Sequence, residues 1–310
     1  MSEIKKAVKL VNSTDLLPLG KTSVFVKKKI DEAQLEYSLP TVEQRDELIL
    51  KITKYLLLDN VVTSGVERKQ QWEDGWLENF NEYVETRNLK SLVPKYFDKY
   101  QVQRLNGKFI IPQCNDFEIK LVGLFQYMVF ERYLKNAEAI YEFGSGTGHN
   151  LLRAREINSA ASLHSMEWAR SGVDLIKLVA EDLSDSKLHG TVFDNFNPNF
   201  DLSLDSNSSI YTFAALEQLG ENTDNLIKYW IMNKPKIVVN VEPMSEPLDD
   251  GELLQYLSIK YFEKRNYLKN YVYKLKDLES TGVIKIHDVI RTGVGSMFIE
   301  GYSIIVWSPL

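Results

Sequence analysis

The chain has 310 residues, 44% of them hydrophobic, which is enough for one large α/β domain with an added segment. Its 37 Lys and Arg stand against 43 Asp and Glu, a net charge of −6, and no long basic run stands out; both facts speak against a surface built to grip nucleic acid. A single cysteine, Cys114, excludes disulfide stapling and cysteine-rich metal sites, no apolar run is long enough to cross a bilayer, and the N-terminal Met-Ser-Glu-Ile-Lys-Lys lacks a signal-peptide core, so the expectation is a soluble cytoplasmic protein.

Residues 1 to about 40 are weakly patterned, punctuated by Pro18, Gly20 and Pro40, and read as an arm or lid element. Thr41-Val-Glu-Gln44 has the form of a capping box and predicts a helix to about Leu58, with Leu48, Ile52, Tyr55 and Leu56 on one face. Trp72, Trp76, Phe80 and Tyr83 recur at helical spacing within an aromatic stretch from Gln70 to Tyr100. Such a stripe either packs on the main domain or offers ring faces to a substrate as a lid. Lys108 to Pro112 reads as extended, and Asp116 to Leu134 as an apolar helix.

The helix leads into Ala139-Ile-Tyr-Glu-Phe-Gly-Ser-Gly-Thr-Gly-His149, a strand, a glycine turn and the start of a helix. Alternate glycines at Gly144, Gly146 and Gly148 let the backbone turn sharply and approach a ligand closely, and the following helix aims its free N–H groups there. The dinucleotide fingerprint G-x-G-x-x-G does not fit, because His149 stands where its third glycine belongs. Strands and helices then alternate. Strands are predicted at Ser162–Glu167, Thr191–Asp194, Ser209–Phe213 and Lys236–Val241, with helices at Gly172–Leu183 and Thr223–Met232 between them. A long helical run follows from Gly251 to about Glu279, then two closing strands, Val283–Ile290 and Ser303–Trp307.

The E-x-G-x-G-x-G run from Glu142 to Gly148 resembles the first motif of class I S-adenosylmethionine-dependent methyltransferases. The resemblance covers residues from about 119 to 310 and implies a Rossmann-like α/β fold: a seven-stranded sheet with helices on both faces, its seventh strand inserted antiparallel. It implies S-adenosyl-L-methionine as cofactor, with Glu142 near the methionine amino group and Gly144, Ser145, Gly146 and Gly148 beneath the sulfonium and ribose. Glu167 ends the second strand 25 positions after Glu142 and is placed for the ribose hydroxyls, unless it is only an exposed Glu after a strand. The resemblance further implies an adenine site in which Asp194 accepts from the exocyclic amine while Phe193, Asn195 or Phe196 lies near the ring. No acid is required at the third strand of an NAD domain, so the series Glu142, Glu167, Asp194 disfavours that reading.

Leu216-Glu-Gln218 is similar to the L-E-H type motif of small-molecule methyltransferases, with Gln218 in place of the His; a neutral amide cannot take a proton, so Glu217 is the candidate there. Glu242 ends the fifth strand and is either a substrate-facing carboxylate or a capping group. His149 either packs near the sulfonium and orients the substrate or simply donates to backbone at the helix start. Glu242, Glu217 and His149 are the candidates to take the acceptor's proton. No two histidines stand at metal-ligand spacing, so no structural metal is expected.

A narrower resemblance extends into the N-terminal half. Trp72 and Trp76, Pro94-Lys-Tyr-Phe97, Phe193-Asp194, Val241-Glu-Pro243, Lys264-Arg-Asn-Tyr267 and Trp307-Ser-Pro309 resemble the same positions of bacterial proteins labelled sugar O-methyltransferases. The chain is expected to divide into two parts: a mainly helical lid or substrate segment over residues 1–115, and a class I methyltransferase domain over 116–310. The expected reaction is methyl transfer to a hydroxyl of a small polar acceptor, a sugar or sugar-containing metabolite, with Tyr261, Arg265 and Tyr267 contacting it. An amine, peptide or protein side chain as acceptor, and a cofactor-binding scaffold without catalysis, are the rival expectations. Neither nucleic acid nor membrane is expected as a partner, and the oligomeric state stays open.

Overall fold

The computed structural model describes residues 7–310, so the N-terminal hexapeptide of the signal-peptide reading lies outside the described residues. The N-terminal part runs β1 (Lys9–Leu10), α1 (Val24–Ala33), β2 (Glu36–Ser38), α2 (Val42–Leu56), α3 (Lys69–Thr86), β3 (Gln103–Leu105), β4 (Lys108–Pro112) and α4 (Phe117–Val129). The rest runs β5 (Ala139–Phe143), α5 (His149–Ile157), β6 (Ser162–Glu167), α6 (Arg170–Asp182), β7 (Leu188–Val192), β8 (Ser208–Phe213), α7 (Asp224–Asn233), β9 (Ile237–Glu242), α8 (Leu253–Arg265), α9 (Tyr271–Ser280), β10 (Ile284–Arg291), β11 (Gly295–Ser296) and β12 (Ser303–Pro309).

Seven strands form the main sheet in the order β10-β12-β9-β8-β5-β6-β7. The five strands from β9 across to β7 pair in parallel, and β12 lies antiparallel between β9 and β10. This is the Rossmann-like sheet with its late inserted strand. The central β5 is buried at every position, as a parallel strand covered on both faces must be, whereas in the edge strand β10 exposed positions alternate with partly buried ones after a buried Ile284. From β5 the chain winds outward through β6 to β7, then returns to place β8 on the other side of β5. That reversal opens a crevice at the carboxyl ends of β5 and β8, where ligands of open α/β sheets bind.

Thr41 and Gln44 close the predicted capping box at the start of α2: Gln44 N–H donates to Thr41 Oγ1 at 3.2 Å and Thr41 N–H to Gln44 Oε1 at 3.0 Å. Three expectations need correction. The described part of the first forty residues is not a free arm, because Leu16, Val26, Ile30 and Leu35 are buried in the main core. The short strands β1 to β4 join β11, from late in the chain, in a second, antiparallel sheet of five strands. The helical run after Gly251 is two helices, since Asn266 and Asn270 both adopt left-handed backbone (φ 54° and 58°) and break it. Asparagine reaches that conformation at less cost than most residues, so the break is written in Arg265-Asn-Tyr267 itself. Among the described residues, no helix is long and apolar enough to cross a membrane.

Candidate functional site: two adjoining chambers

Gly144, Gly146 and Gly148 all have positive φ (72°, 57° and 76°), so the loop after β5 takes a path that side chains resist. At Gly148 an added Cβ would lie 2.3 Å from Ile176 Cδ1, which lets α5 and α6 approach. Gly144 and Gly146 line a cavity of about 660 Å³ with Ser145, His149, Asn150, Glu167, Trp168, Asn195, Phe196, the segment Phe213–Ala215, Gln218 and Leu219. Glu167 holds this loop down: Gly146 N–H donates to one carboxylate oxygen at 2.7 Å and Ala169 N–H to the other at 3.0 Å. Each oxygen keeps a second lone pair for a ligand hydroxyl.

Four buried polar atoms around the glycine loop and its cover have no partner: Trp72 Nε1, Glu142 Oε2, His149 Nε2 and Asn195 Oδ1. A protein leaves such atoms bare at a cost unless a ligand completes them. The other oxygen of Glu142 accepts from Asn150 Nδ2 at 2.6 Å, and burial pushes its carboxyl up to about 8. His149 is held neutral, its pKa lowered by burial and then by the Arg153 charge. Thr147 donates its hydroxyl proton to Leu92 O at 2.5 Å, so its oxygen can only accept from His149 Nδ1, 3.5 Å away. Assigned from that network, the proton sits on Nδ1 and Nε2 offers a lone pair to the cavity.

Helix α3 covers the cavity. Trp72 and Trp76 stack at 5.3 Å, meet Tyr96 edge-on, and line the cavity wall. A Cβ on Gly146 would come 2.9 Å from Trp76 Cζ2, so this indole lies directly over the glycine loop. Both readings of the aromatic stripe hold on different turns: lower down, Tyr83 is buried and its hydroxyl donates to Asp182 at 3.0 Å. Glu73 latches the helix down, accepting the N–H groups of Arg170 and Ser171 at the start of α6 at 2.7 and 2.8 Å. A carboxylate there completes free N–H groups and meets the positive end of the helix dipole.

Trp72, Tyr96 and Ala214 belong also to a second cavity of about 1100 Å³, which the first adjoins. Its walls come from far apart in the sequence: Arg68, Lys99, Tyr100, Glu118, Glu217, Tyr261, Arg265, Tyr267 and residues between Ser296 and Tyr302. Tyr55 stacks on Tyr261 at 5.3 Å, and the Arg265 guanidinium sits 5.9 and 5.7 Å from the rings of Tyr261 and Tyr267. The two chambers meet at one short turn, Leu216–Leu219. Gln218 faces the first chamber and Glu217 the second, and Gln218 links its neighbours, donating to Glu217 Oε1 at 2.9 Å and accepting from Arg68 Nη1 at 3.2 Å. Burial pushes the Glu217 carboxyl up to about 7 against the pull of Arg68 and Arg265.

No family model matches the chain, and no curated protein matches it. Among solved structures it is similar to a SAM-dependent methyltransferase from Aquifex aeolicus, at 13% identity over 60% of this chain and 89% of that one (TM-score 0.41). It is similar to an O-methyltransferase of neocarzinostatin biosynthesis in complex with S-adenosylmethionine, at 10% identity over 78% and 70% (0.42). It is similar to an 8-amino-8-demethyl-D-riboflavin dimethyltransferase from Streptomyces davawensis, at 10% identity over 77% and 69% (0.45). At such values the likenesses add no weight, and the fold assignment rests on strand order.

The predicted site residues separate in space. Gly144, Ser145, Gly146, His149, Glu167 and Asn195 line the first chamber, and Glu217, Tyr261, Arg265 and Tyr267 the second. Four lie elsewhere. Phe193 is buried against Phe143 and Tyr229, because β7 ends at Val192 and not at Asp194. Asp194 turns back to accept the Phe196 N–H at 2.9 Å and does not line the chamber. Gly148 serves packing. Glu242 is fully buried, accepting the N–H groups of Ala215 and Leu216 at 3.2 and 3.1 Å; it shapes the turn that carries Glu217 and reaches neither chamber. Reading strand ends missed Trp168, which stacks at 5.6 Å on the expected Phe196 beside the first chamber, and Arg68, one helical turn before Trp72. The signal for Trp168 was its place directly after the strand-end acid Glu167.

Proposed function

We propose that the chain transfers the methyl group of S-adenosylmethionine to a hydroxyl of a small polar acceptor, a sugar or sugar-containing metabolite. The observation that carries this reading is the set of unpartnered buried polar atoms, Glu142 Oε2, His149 Nε2 and Asn195 Oδ1 among them, around a glycine loop at the sheet's switch point. Bound there, S-adenosylmethionine supplies an electrophilic methyl group. The residues fit it: Glu142, through its unpartnered oxygen, for the cationic amino group, and, from the cavity wall, Glu167 for ribose hydroxyls and Asn195 with Trp168 and Phe196 for a flat base.

The chain's own work is mainly alignment. Helix α3 and its tryptophans exclude water from above the glycine loop. The acceptor lies in the second chamber, its hydroxyl toward the shared wall. Glu217, with a carboxyl near 7, takes the hydroxyl proton, the range in which a general base works well at neutral pH. Gln218 fixes the Glu217 carboxylate. The tyrosines Tyr261 and Tyr267 offer ring faces and hydroxyls suited to a sugar. Two arginines in this chamber speak against a cationic amine as acceptor.

The test is S-adenosylhomocysteine formation with purified protein against sugars, sugar phosphates and nucleotide sugars in one panel, amines and peptides in another. Turnover confined to the first panel is expected. Turnover confined to the second replaces the acceptor class, and none in either leaves a binding scaffold.

A further inference from the structure

Arg87, Arg132, Arg155 and Arg291 each pair with a carboxylate within 3.2 Å. Arg68 and Arg265 do not. They come from segments nearly two hundred positions apart, converge on the second chamber, and form no ion pair among the described residues. Arg265 Nε is buried with no partner, and the side chain makes one bond, Nη1 to Tyr55 Oη at 3.3 Å. Arg68 donates to Gln71 and Gln218, both neutral amides. With five N–H donors per guanidinium, most of this donor capacity is unused. Lys99 stands in the same wall. The opposing carboxyls are Glu217 and Glu118, and Glu118 already accepts the Asp98 N–H at 2.8 Å. Two half-buried guanidiniums facing one space repel each other, and burial together with the Arg265 charge lowers the Arg68 pKa. A chain of net charge −6 thus concentrates unpaired positive charge in one cavity.

We propose that the second chamber selects an acceptor carrying an oxyanion, a phosphate or a carboxylate, held between Arg68 and Arg265 so that a neighbouring hydroxyl faces Glu217. Planar guanidinium forks match both groups in two-point contacts, and aromatic rings behind them, Trp72 under Arg68 at 5.0 Å and Tyr261 and Tyr267 around Arg265, fix the forks in place. The inference rests on the methyltransferase reading for the role of Glu217, but not for the anion site itself.

The experiment is calorimetric titration of the full chain with inorganic pyrophosphate, glucuronate and neutral glucose at constant ionic strength, with and without S-adenosylhomocysteine. At least one anionic probe is expected to saturate the wild-type protein, with affinity falling about tenfold or more in both Arg68→Gln and Arg265→Gln and partly restored by Arg→Lys at each position. Glucose binding is expected to be indifferent to these changes. Pyrophosphate above glucuronate assigns a phosphate, and the reverse a carboxylate. The inference is overturned if neither anion binds the wild type, or if binding is unchanged in both variants while their melting temperatures match the wild type. If a variant does not fold, the wild-type comparison of anions with glucose decides. If S-adenosylhomocysteine fails to bind while an anion binds through the arginines, the methyltransferase reading falls and the anion site stands. If it binds and the anions do not, only the anion site falls.

Discussion

The two chambers adjoin, yet they are built in different ways. The floor of the first is assembled by short-range rules, from strand ends, one glycine loop and acids at the ends of β5 and β6, and only its cover of Trp72, Trp76 and Tyr96 comes from far along the chain. The second is assembled by long-range packing of α3, the loop around Tyr96, the Glu217 turn, the α8 end and the loop before β12. It holds tyrosines, arginines and a carboxyl with a raised pKa. A floor set by a glycine loop suits a constant ligand, and a chamber made of side chains from distant segments can be altered without disturbing the sheet. The difference teaches where a change should act: on cofactor affinity in the first chamber, on acceptor choice and proton removal in the second.

The largest expected separation comes from Glu217→Gln, which keeps shape and removes the base. We expect kcat to fall roughly 10²- to 10⁴-fold with cofactor affinity unchanged. The wild-type rate should climb with pH to a plateau above about 7, where Glu217 is ionised, and the variant should lose that limb. An unchanged pH–rate profile in the variant would assign the proton elsewhere, with His149 Nε2 next to be tested.

Glu142→Gln should act on the other side only. Burial, with help from the Glu167 charge, holds Glu142 protonated to about pH 8, and a cationic amino group binds the ionised form. Wild-type affinity for S-adenosylmethionine should therefore rise as pH increases toward 8. The variant should bind about tenfold more weakly and lose the pH dependence. Calorimetry across pH 6 to 8.5 checks both.

Glu242→Gln asks whether the turn between the chambers is structural. Its carboxyl is pushed up to about 8, mainly by burial, from an ordinary 4.5. A raised pKa stabilises the fold through the protonated form, fully below the unfolded value. That contribution is lost as pH rises through the folded value. The wild-type melting temperature should fall between pH 5 and 8.5 more steeply than that of the variant, by a few degrees, on the order of 4 °C per kcal/mol or less. Its kcat should stay within about threefold of wild type, since truncating a group outside the reaction costs little there; a collapse of kcat in a folded variant would return Glu242 to the catalytic set. The smallest effect belongs to Glu73→Ala, which removes a cap and should lower unfolding free energy by about 1 kcal/mol in urea titrations.

Much of the first chamber was legible in the chain because its parts are contiguous. The run Ala139–Gly148 states strand, turn and helix start in order, and Glu167 falls at the end of an alternating segment that the structure keeps as β6. The seven strands were likewise legible, since buried parallel strands are apolar runs between helical stretches. Asp194 misled because periodicity set the third strand two residues late; the true end at Val192 turns Phe193 into the core and Asp194 into a turn residue. Glu242 misled because a strand-end acid looks the same whether it faces a ligand or caps a turn. Only the bonds to Ala215 and Leu216 distinguish the two. The second chamber was legible only in fragments. Tyr261, Arg265 and Tyr267 were visible as a cluster, but their meeting with Arg68 depends on the left-handed Asn266, which ends α8 and turns the chain back. The second sheet, made by β11 joining strands nearly two hundred residues earlier, has no local signal at all.

Titration of S-adenosylmethionine into the wild-type protein and Gly146→Val, side by side in the calorimeter, tests the central claim most directly. Gly146 has φ +57°, and its Cβ would lie 2.9 Å from Trp76 Cζ2, so a valine strains the loop and fills the space beneath the indole. We predict one saturable site in the wild type and affinity weaker by about 100-fold or more in the variant. No binding by the wild type, or equal binding by both, would contradict the placement of the cofactor on the glycine loop.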